Sequence, residues 1–131
     1  VSLERILTES DYVSLHVPAT PATHHMIGAK ELRMMKPSAS LVNFARGSVI
    51  DEAALVEALK SGEIRSAALD VFEQEPLKKD SPLLGLDNAF LTPHTGSNTI
   101  EASQRMALGA EKMVDQALSG KRPDFAVNDP K

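Results

Sequence analysis

The stretch SASLVNFARGSVIDEAALVEALKSGEIRSAALDVF, residues 38–72, decides the fold. Its first part, SASLVNFA (38–45), is apolar and strand-like and ends at Arg46-Gly47. Asp51 then stands as the N-cap of a helix, DEAALVEALKSG (51–62), with Ala54, Leu55, Ala58 and Leu59 on one face and Gly62 as its stop. SAALDVF (66–72) is a second strand, whose small residues suit a buried position between helices. Upstream, DYVSLHV (11–17) is a strand broken by Pro18, PATPATHH (18–25) is a loop, and GAKELRMM (28–35) is a short amphipathic helix closed by Pro37. SLERILTES opens the chain as a helix with Leu3, Ile6 and Leu7 at helical spacing and Ser2 as its cap. Downstream, KKDSP (78–82) is a solvated loop, AFLTPH (89–94) a fourth strand, and a long helix runs from about Thr99 to Ser119 and stops at Gly120. Short apolar strands joined by helices predict an α/β fold with a parallel sheet covered on both faces.

Composition narrows the function. The 131 residues suffice for one ordinary domain, and 42% hydrophobic with 24% charged residues is a globular balance. The net charge of −4 lacks the basic stripe that phosphate contacts need, so no nucleic-acid partner is expected. No apolar run approaches the roughly 20 residues of a membrane span, so no membrane partner is expected either. With no Cys, disulfides, thiolate catalysis and Cys-based zinc sites are excluded. An aromatic fraction of 4% without Trp is too poor for a base-stacking platform. The expectation is a cytoplasmic domain that binds a small molecule.

In an open parallel sheet, ligands bind beyond the carboxyl ends of the strands. The first strand delivers His16 and Pro18 there, the second Asn43 and Arg46, the third Asp70 and Glu75, the fourth His94, Gly96 and Ser97. Each also has an ordinary reading: Arg46 as a surface side chain, Asp70 as a turn cap, Glu75 as a solvated loop residue, His94 as a buried or loop histidine. His24 and His25, without carboxylates nearby in sequence, read as solvent-facing and not as a metal site. Met34 and Met35 read as core filler at a helix end.

The segments SDYVSLHVPATPATHHMIG, LVNFARGSVIDEAALVEALKSGEI, AALDVFEQEP and LTPHTGS, in this order and spacing, resemble the D-isomer-specific 2-hydroxyacid dehydrogenases over almost the whole chain. The resemblance implies a role for each strand-end residue. Arg46 matches the Arg that binds the substrate carboxylate and carbonyl oxygen, His94 the catalytic His, and Glu75 its acidic partner. Asp70 matches the Asp that holds the nicotinamide carboxamide. His16, Val17 and Pro18 match the stretch beside the cofactor, and the backbone at Asn43 and Ala45, with Arg46, His94 and Gly96, lies along the nicotinamide. The cofactor implied is NAD or NADP, the substrate a small 2-oxo or 2-hydroxy acid, the assembly a homodimer.

The chemistry fits those residue types. A guanidinium meets a carboxylate with two charge-assisted hydrogen bonds, a fork that Lys lacks. An imidazole can give a proton in one direction and take it in the other. A neighbouring carboxylate favours the imidazolium and fixes its tautomer, which a Gln at position 75, as in the family's formate-oxidising members, would not do.

The family's Gly-rich phosphate loop is missing, since the seven Gly are scattered. By resemblance the chain begins after the third strand of the nucleotide domain: residues 1–98 are the second half of a partial Rossmann-like, doubly wound sheet. Residues 99–131 are a helix and tail returning towards the substrate domain. Two other readings stand beside the dehydrogenase: a dinucleotide-sensing, corepressor-like binding protein on the same fold, and an inactive truncated fragment.

Overall fold

The computed structural model describes residues 1–128, so the last three residues of the tail expected at 99–131 lie outside the described ones. Strands β1 (Tyr12–Leu15), β2 (Ser40–Asn43), β3 (Ser66–Leu69) and β4 (Ala89–Leu91) form one parallel sheet in the order β1-β2-β3-β4. Helix α1 (Leu3–Glu9) precedes the sheet, α2 (Ala29–Met34) joins β1 to β2, and α3 (Glu52–Ser61) joins β2 to β3. The α/β class expected from the sequence is the one observed. The chain divides into a compact unit of residues 1–95 and a second unit from Gly96 onward.

Local chemistry sets the elements. Ser2 Oγ accepts the Arg5 N–H and Asp51 Oδ1 accepts the Ala54 N–H, so both helices start where a side chain takes an orphan donor. Gly62 ends α3 with φ of 74°, a left-handed conformation that glycine adopts without a Cβ clash. Val13, Leu15, Leu41, Ala67 and Leu69 point from the strands into a core with Leu7, Leu32, Leu55 and Leu59 of the helices. Met35 joins that core and Met34 packs against it.

Three details depart from the expectation. The strands are shorter than the apolar runs, because polar side chains divert the backbone at their ends. At Asn43, Oδ1 accepts the Ala45 N–H and Nδ2 donates to the Arg46 carbonyl, which turns the chain out of the ladder. A 3-10 turn at Pro82–Gly85, capped by Ser81, takes up the end of the loop read as KKDSP. The sheet is covered by helices of residues 1–95 on one face only. The chain steps β1 to β2 to β3 in one direction, and right-handed crossovers then place α2 and α3 on the same side. The opposite face carries Tyr12 and Phe90, 67% and 65% exposed.

The second unit consists of helix α4 (Ile100–Leu118), its N-cap Thr99 and the following tail. The tail folds back on its own helix: Lys112 Nζ reaches Asp124 Oδ2 at 2.7 Å and the Asp124 N–H donates to Gln116 Oε1 at 3.0 Å. No described helix is long and apolar enough to cross a membrane.

One glycine fixes the spacing of two loops. A Cβ on Gly47 would stand 1.9 Å from the Phe72 carbonyl carbon and 2.4 Å from the Glu73 nitrogen. Those are backbone atoms that cannot swing away. Gly47→Ala is expected to destabilise the fold by about 3 kcal/mol, the upper end of ordinary overpacking. Gly85→Ala, whose Cβ meets nothing within 4 Å, should leave the unfolding midpoint nearly unchanged. Urea unfolding of the two variants checks the contrast.

Candidate active site

The strand register aligns Leu15 with Asn43, Asn43 with Leu69, and Leu69 with Leu91, so the four strands end level. The residues that follow therefore emerge along one rim. Arg46, Asp70, Glu75 and His94 all come from segments leaving that rim, on the loops after β2, β3 and β4.

Asn43 and Asp70 are buried, 1% and 2% exposed, and both act on backbone. Asn43 closes the turn that presents Arg46, as described above. Asp70 Oδ1 accepts the Thr92 hydroxyl and, at 2.8 Å, the Thr95 N–H, tying the end of β3 to the segment that carries His94. His94 itself sits at φ of 55°, in the left-handed region, with its N–H on the Thr92 carbonyl at 3.0 Å. Histidine is among the residues that tolerate that conformation.

His94 Nδ1 lies 2.7 Å from Glu75 Oε2, and Glu75 Oε1 accepts the Phe72 N–H at 3.1 Å. The carboxylate is thus gripped at both oxygens. With a proton on Nδ1 pointing at Glu75, Nε2 is the ring nitrogen left to meet a ligand. The hydrogen bond with His94 holds the Glu75 carboxyl below the usual Glu range; the Phe72 N–H adds to this, burial opposes it, and the charges of His94 and Arg46 lower it further. A carboxyl lowered in the folded state contributes its stabilisation at neutral pH and loses it as pH falls through the lowered value.

Arg46 is exposed, and its Nη1 donates to the Ala45 carbonyl at 2.7 Å. With Ala45, Phe44, His16, Val17 and Pro18 it lines a cleft of about 560 Å³. His16 Nε2 meets Ser14 Oγ at 2.8 Å. His94 and Glu75 border a second, largely apolar cavity of about 520 Å³ with Phe72, Pro76, Leu84 and Leu91. Gly96 begins the second unit, in the turn before Thr99. Among the described residues no three His, Asp or Glu side chains converge as metal ligands.

Sequence reasoning missed one pair. His25 and Glu73, 48 residues apart, meet through Nε2 and Oε1 at 2.5 Å. Only the fold brings them together, and no spacing in the chain announces it. It also passed over Gly47, read merely as the end of a strand.

Residues 1–96 match the family described as D-isomer specific 2-hydroxyacid dehydrogenase, NAD binding domain, and the chain belongs to it. A glyoxylate reductase from Korarchaeum cryptofilum is 51% identical over 128 residues, which are 98% of this chain and 38% of that protein. The chain thus spans well under half the length of the curated relatives it matches. Among solved structures, the TT0316 protein from Thermus thermophilus superposes with a TM-score of 0.92 at 44% identity, covering 98% of this chain and 41% of that one. The NAD complexed form of a D-isomer specific 2-hydroxyacid dehydrogenase from Lactobacillus delbrueckii ssp. bulgaricus gives 0.88 at 34% identity, over 97% of this chain and 43% of that one.

The electrostatics of the His-Glu pair make a direct measurement possible. In a carboxyl ¹³C titration, Glu75 should show a midpoint below that of an ordinary Glu, and His94→Ala should raise it, because the largest lowering cause is then gone. A Glu75 midpoint indifferent to His94→Ala would mean that the two side chains do not touch in solution.

Proposed function

We propose that this chain is part of an NAD(P)-dependent oxidoreductase that moves a hydride between a nicotinamide and the C2 carbon of a small 2-oxo or D-2-hydroxy acid. The observation that carries this is the 2.7 Å contact of Glu75 with His94 on the rim that also bears Arg46. The kinship with a glyoxylate reductase points to the smallest members of that substrate class. The rest of the reading is a cytoplasmic homodimer whose partners are small acids and not nucleic acid or membrane.

In this reading Arg46 holds the substrate carboxylate and polarises the carbonyl oxygen through its fork. His94 Nε2 gives a proton to that oxygen during reduction and takes it back during oxidation, while Glu75 keeps the ring turned and favours its charged form. The group supplied by the cofactor is the hydride donor or acceptor. Its nicotinamide end suits this chain: the Arg46 cleft lies at the strand ends, with His16, Val17, Pro18 and the Asn43–Ala45 backbone along it. Asp70 is buried at the same rim, and Gly96, two residues past His94, belongs to the same set. The pyrophosphate end does not suit this chain, which has no Gly-rich turn before a helix. A few nicotinamide hydrogen bonds at about 0.5–1.5 kcal/mol each fall well short of the roughly 8 kcal/mol of a micromolar complex. The 131 residues alone are therefore expected not to bind NADH tightly, and a low-micromolar dissociation constant by calorimetry would show a phosphate site elsewhere.

Steady-state kinetics of the full-length protein with a panel of 2-oxo acids, using NADH and NADPH in turn, tests the assignment. His94→Ala should lower kcat by roughly 10²–10⁴, the range for loss of a general acid. Arg46→Lys should chiefly raise KM for the oxo acid and lower kcat as well, since it keeps the charge without the fork. Wild-type kcat in His94→Ala across the pH range would remove the proton-donor role.

A further inference from the structure

We propose that His25 is a positioning residue for this site: it holds the loop carrying Arg46 and the loop carrying Glu75 at a fixed separation. The inference rests on the functional reading above and adds a residue to which that reading gives no role.

His25 touches both loops at once. Its N–H donates to the Ser48 carbonyl at 2.8 Å, two residues beyond Arg46 and inside the 3-10 turn Gly47–Val49. Its ring Nε2 meets Glu73 Oε1, two residues before Glu75. Glu73 is in turn fastened to the start of α3, its N–H donating to Glu52 Oε2 at 3.2 Å and its Oε1 accepting the Glu52 N–H at 3.4 Å. The next residues continue the seam, with the Ile27 N–H on the Val49 carbonyl at 3.1 Å and the Asp51 N–H on the Ile27 carbonyl at 3.0 Å.

The His25 ring is aimed. Its backbone stands at φ of 50°, a left-handed conformation, and the His24 ring stacks on it with centroids 4.0 Å apart. The charged groups around the pair are Glu73 and Glu52, with Lys78 and Asp80 on the cleft that Glu73 lines. The His25 and Glu73 side chains are 38% and 37% exposed. A half-exposed pair of this kind contributes little to global stability. Its consequence is geometric: with Gly47 against the Phe72 carbonyl, it sets how far the anion-binding Arg lies from the His-Glu pair. A displacement of about 1 Å between reacting groups can cost roughly 10²-fold in rate.

The test uses the full-length protein with His25→Ala, His25→Gln, whose amide nitrogen reaches about as far as Nε2, Glu73→Ala, and the double variant His25→Ala/Glu73→Ala. The readouts are the Glu75 carboxyl titration, kcat, KM for the oxo acid, cofactor affinity and the unfolding midpoint. His25→Ala is expected to raise the Glu75 midpoint, and either single Ala variant to lower kcat roughly 10–100-fold with cofactor affinity unchanged. His25→Gln should recover most of both effects, and the double variant should be no worse than either single one. A merely structural role would lower the unfolding midpoint and leave the Glu75 titration in place, and that result overturns the proposal. So does a His25→Ala or a Glu73→Ala protein with unaltered titration and kcat. If the wild type reduces no 2-oxo acid but the titration moves and His25→Gln restores it, the positioning role stands and the functional reading falls. If the wild type is active and the titration is unmoved, the reverse holds.

Discussion

The backbone of Gly47 lies against the carbonyl of Phe72 closer than any side-chain-bearing residue allows. On one side of that contact is Arg46, on the other Glu75 with its histidine. Two loops from neighbouring strands are thereby pressed into a single wall, and the approach of the Arg46 loop to the Glu75 loop depends on the missing methyl group. The buried polar side chains support the same wall. Asn43 and Asp70 stand at the ends of adjacent strands, and the Asp70 N–H donates to the Asn43 carbonyl at 3.0 Å, one step past the register of the sheet. Burying such groups is costly unless they are bonded, and both are bonded to backbone. Their hydrogen bonds go to loop shape, while Arg46, Glu75 and His94 stay exposed.

The parallel sheet was legible in the sequence because residues 38–72 hold a complete strand-helix-strand unit with both helix caps in place. The row of polar residues at the strand ends was legible for a related reason: in a parallel sheet every strand delivers its next residue to the same edge. Strand length was not, because Ala45, Val71 and Phe72 are as apolar and as buried as ladder residues. The Ala45 N–H goes to the Asn43 side-chain amide and the Phe72 N–H to the Glu75 carboxylate, so neither joins the ladder. Helix cover on both faces was expected from apolar strands alone. Apolarity does not record on which side a crossover passes, and the handedness rule puts α2 and α3 together. The turn-capping reading of Asp70 describes what its side chain does: it fixes the His94 segment from the rim.

In the proposed reading the chain supplies the nicotinamide end of a dinucleotide site, and its glycines offer no turn for the pyrophosphate. Arg46, Glu75, His94 and the cleft from His16 to Pro18 come from the four strand ends of one sheet. The glycines stand singly, at turns, at helix ends, within α4 and at one close approach, and nowhere gather into a phosphate cradle.

Strand β4 is the shortest of the four, three residues at the sheet edge, paired to β3 alone and reached through a connection with no α-helix. The segment that bears His94 follows it directly. Local opening proceeds in small cooperative units, and thinly attached edges open at the least cost in free energy. Peeling of this edge lifts the histidine from Glu75 while β1 to β3, with Arg46, stay folded. The population of such a frayed state would set the fraction of molecules that hold the His94–Glu75 contact at any moment, so warmth or mild denaturant would open that contact before the sheet itself melts.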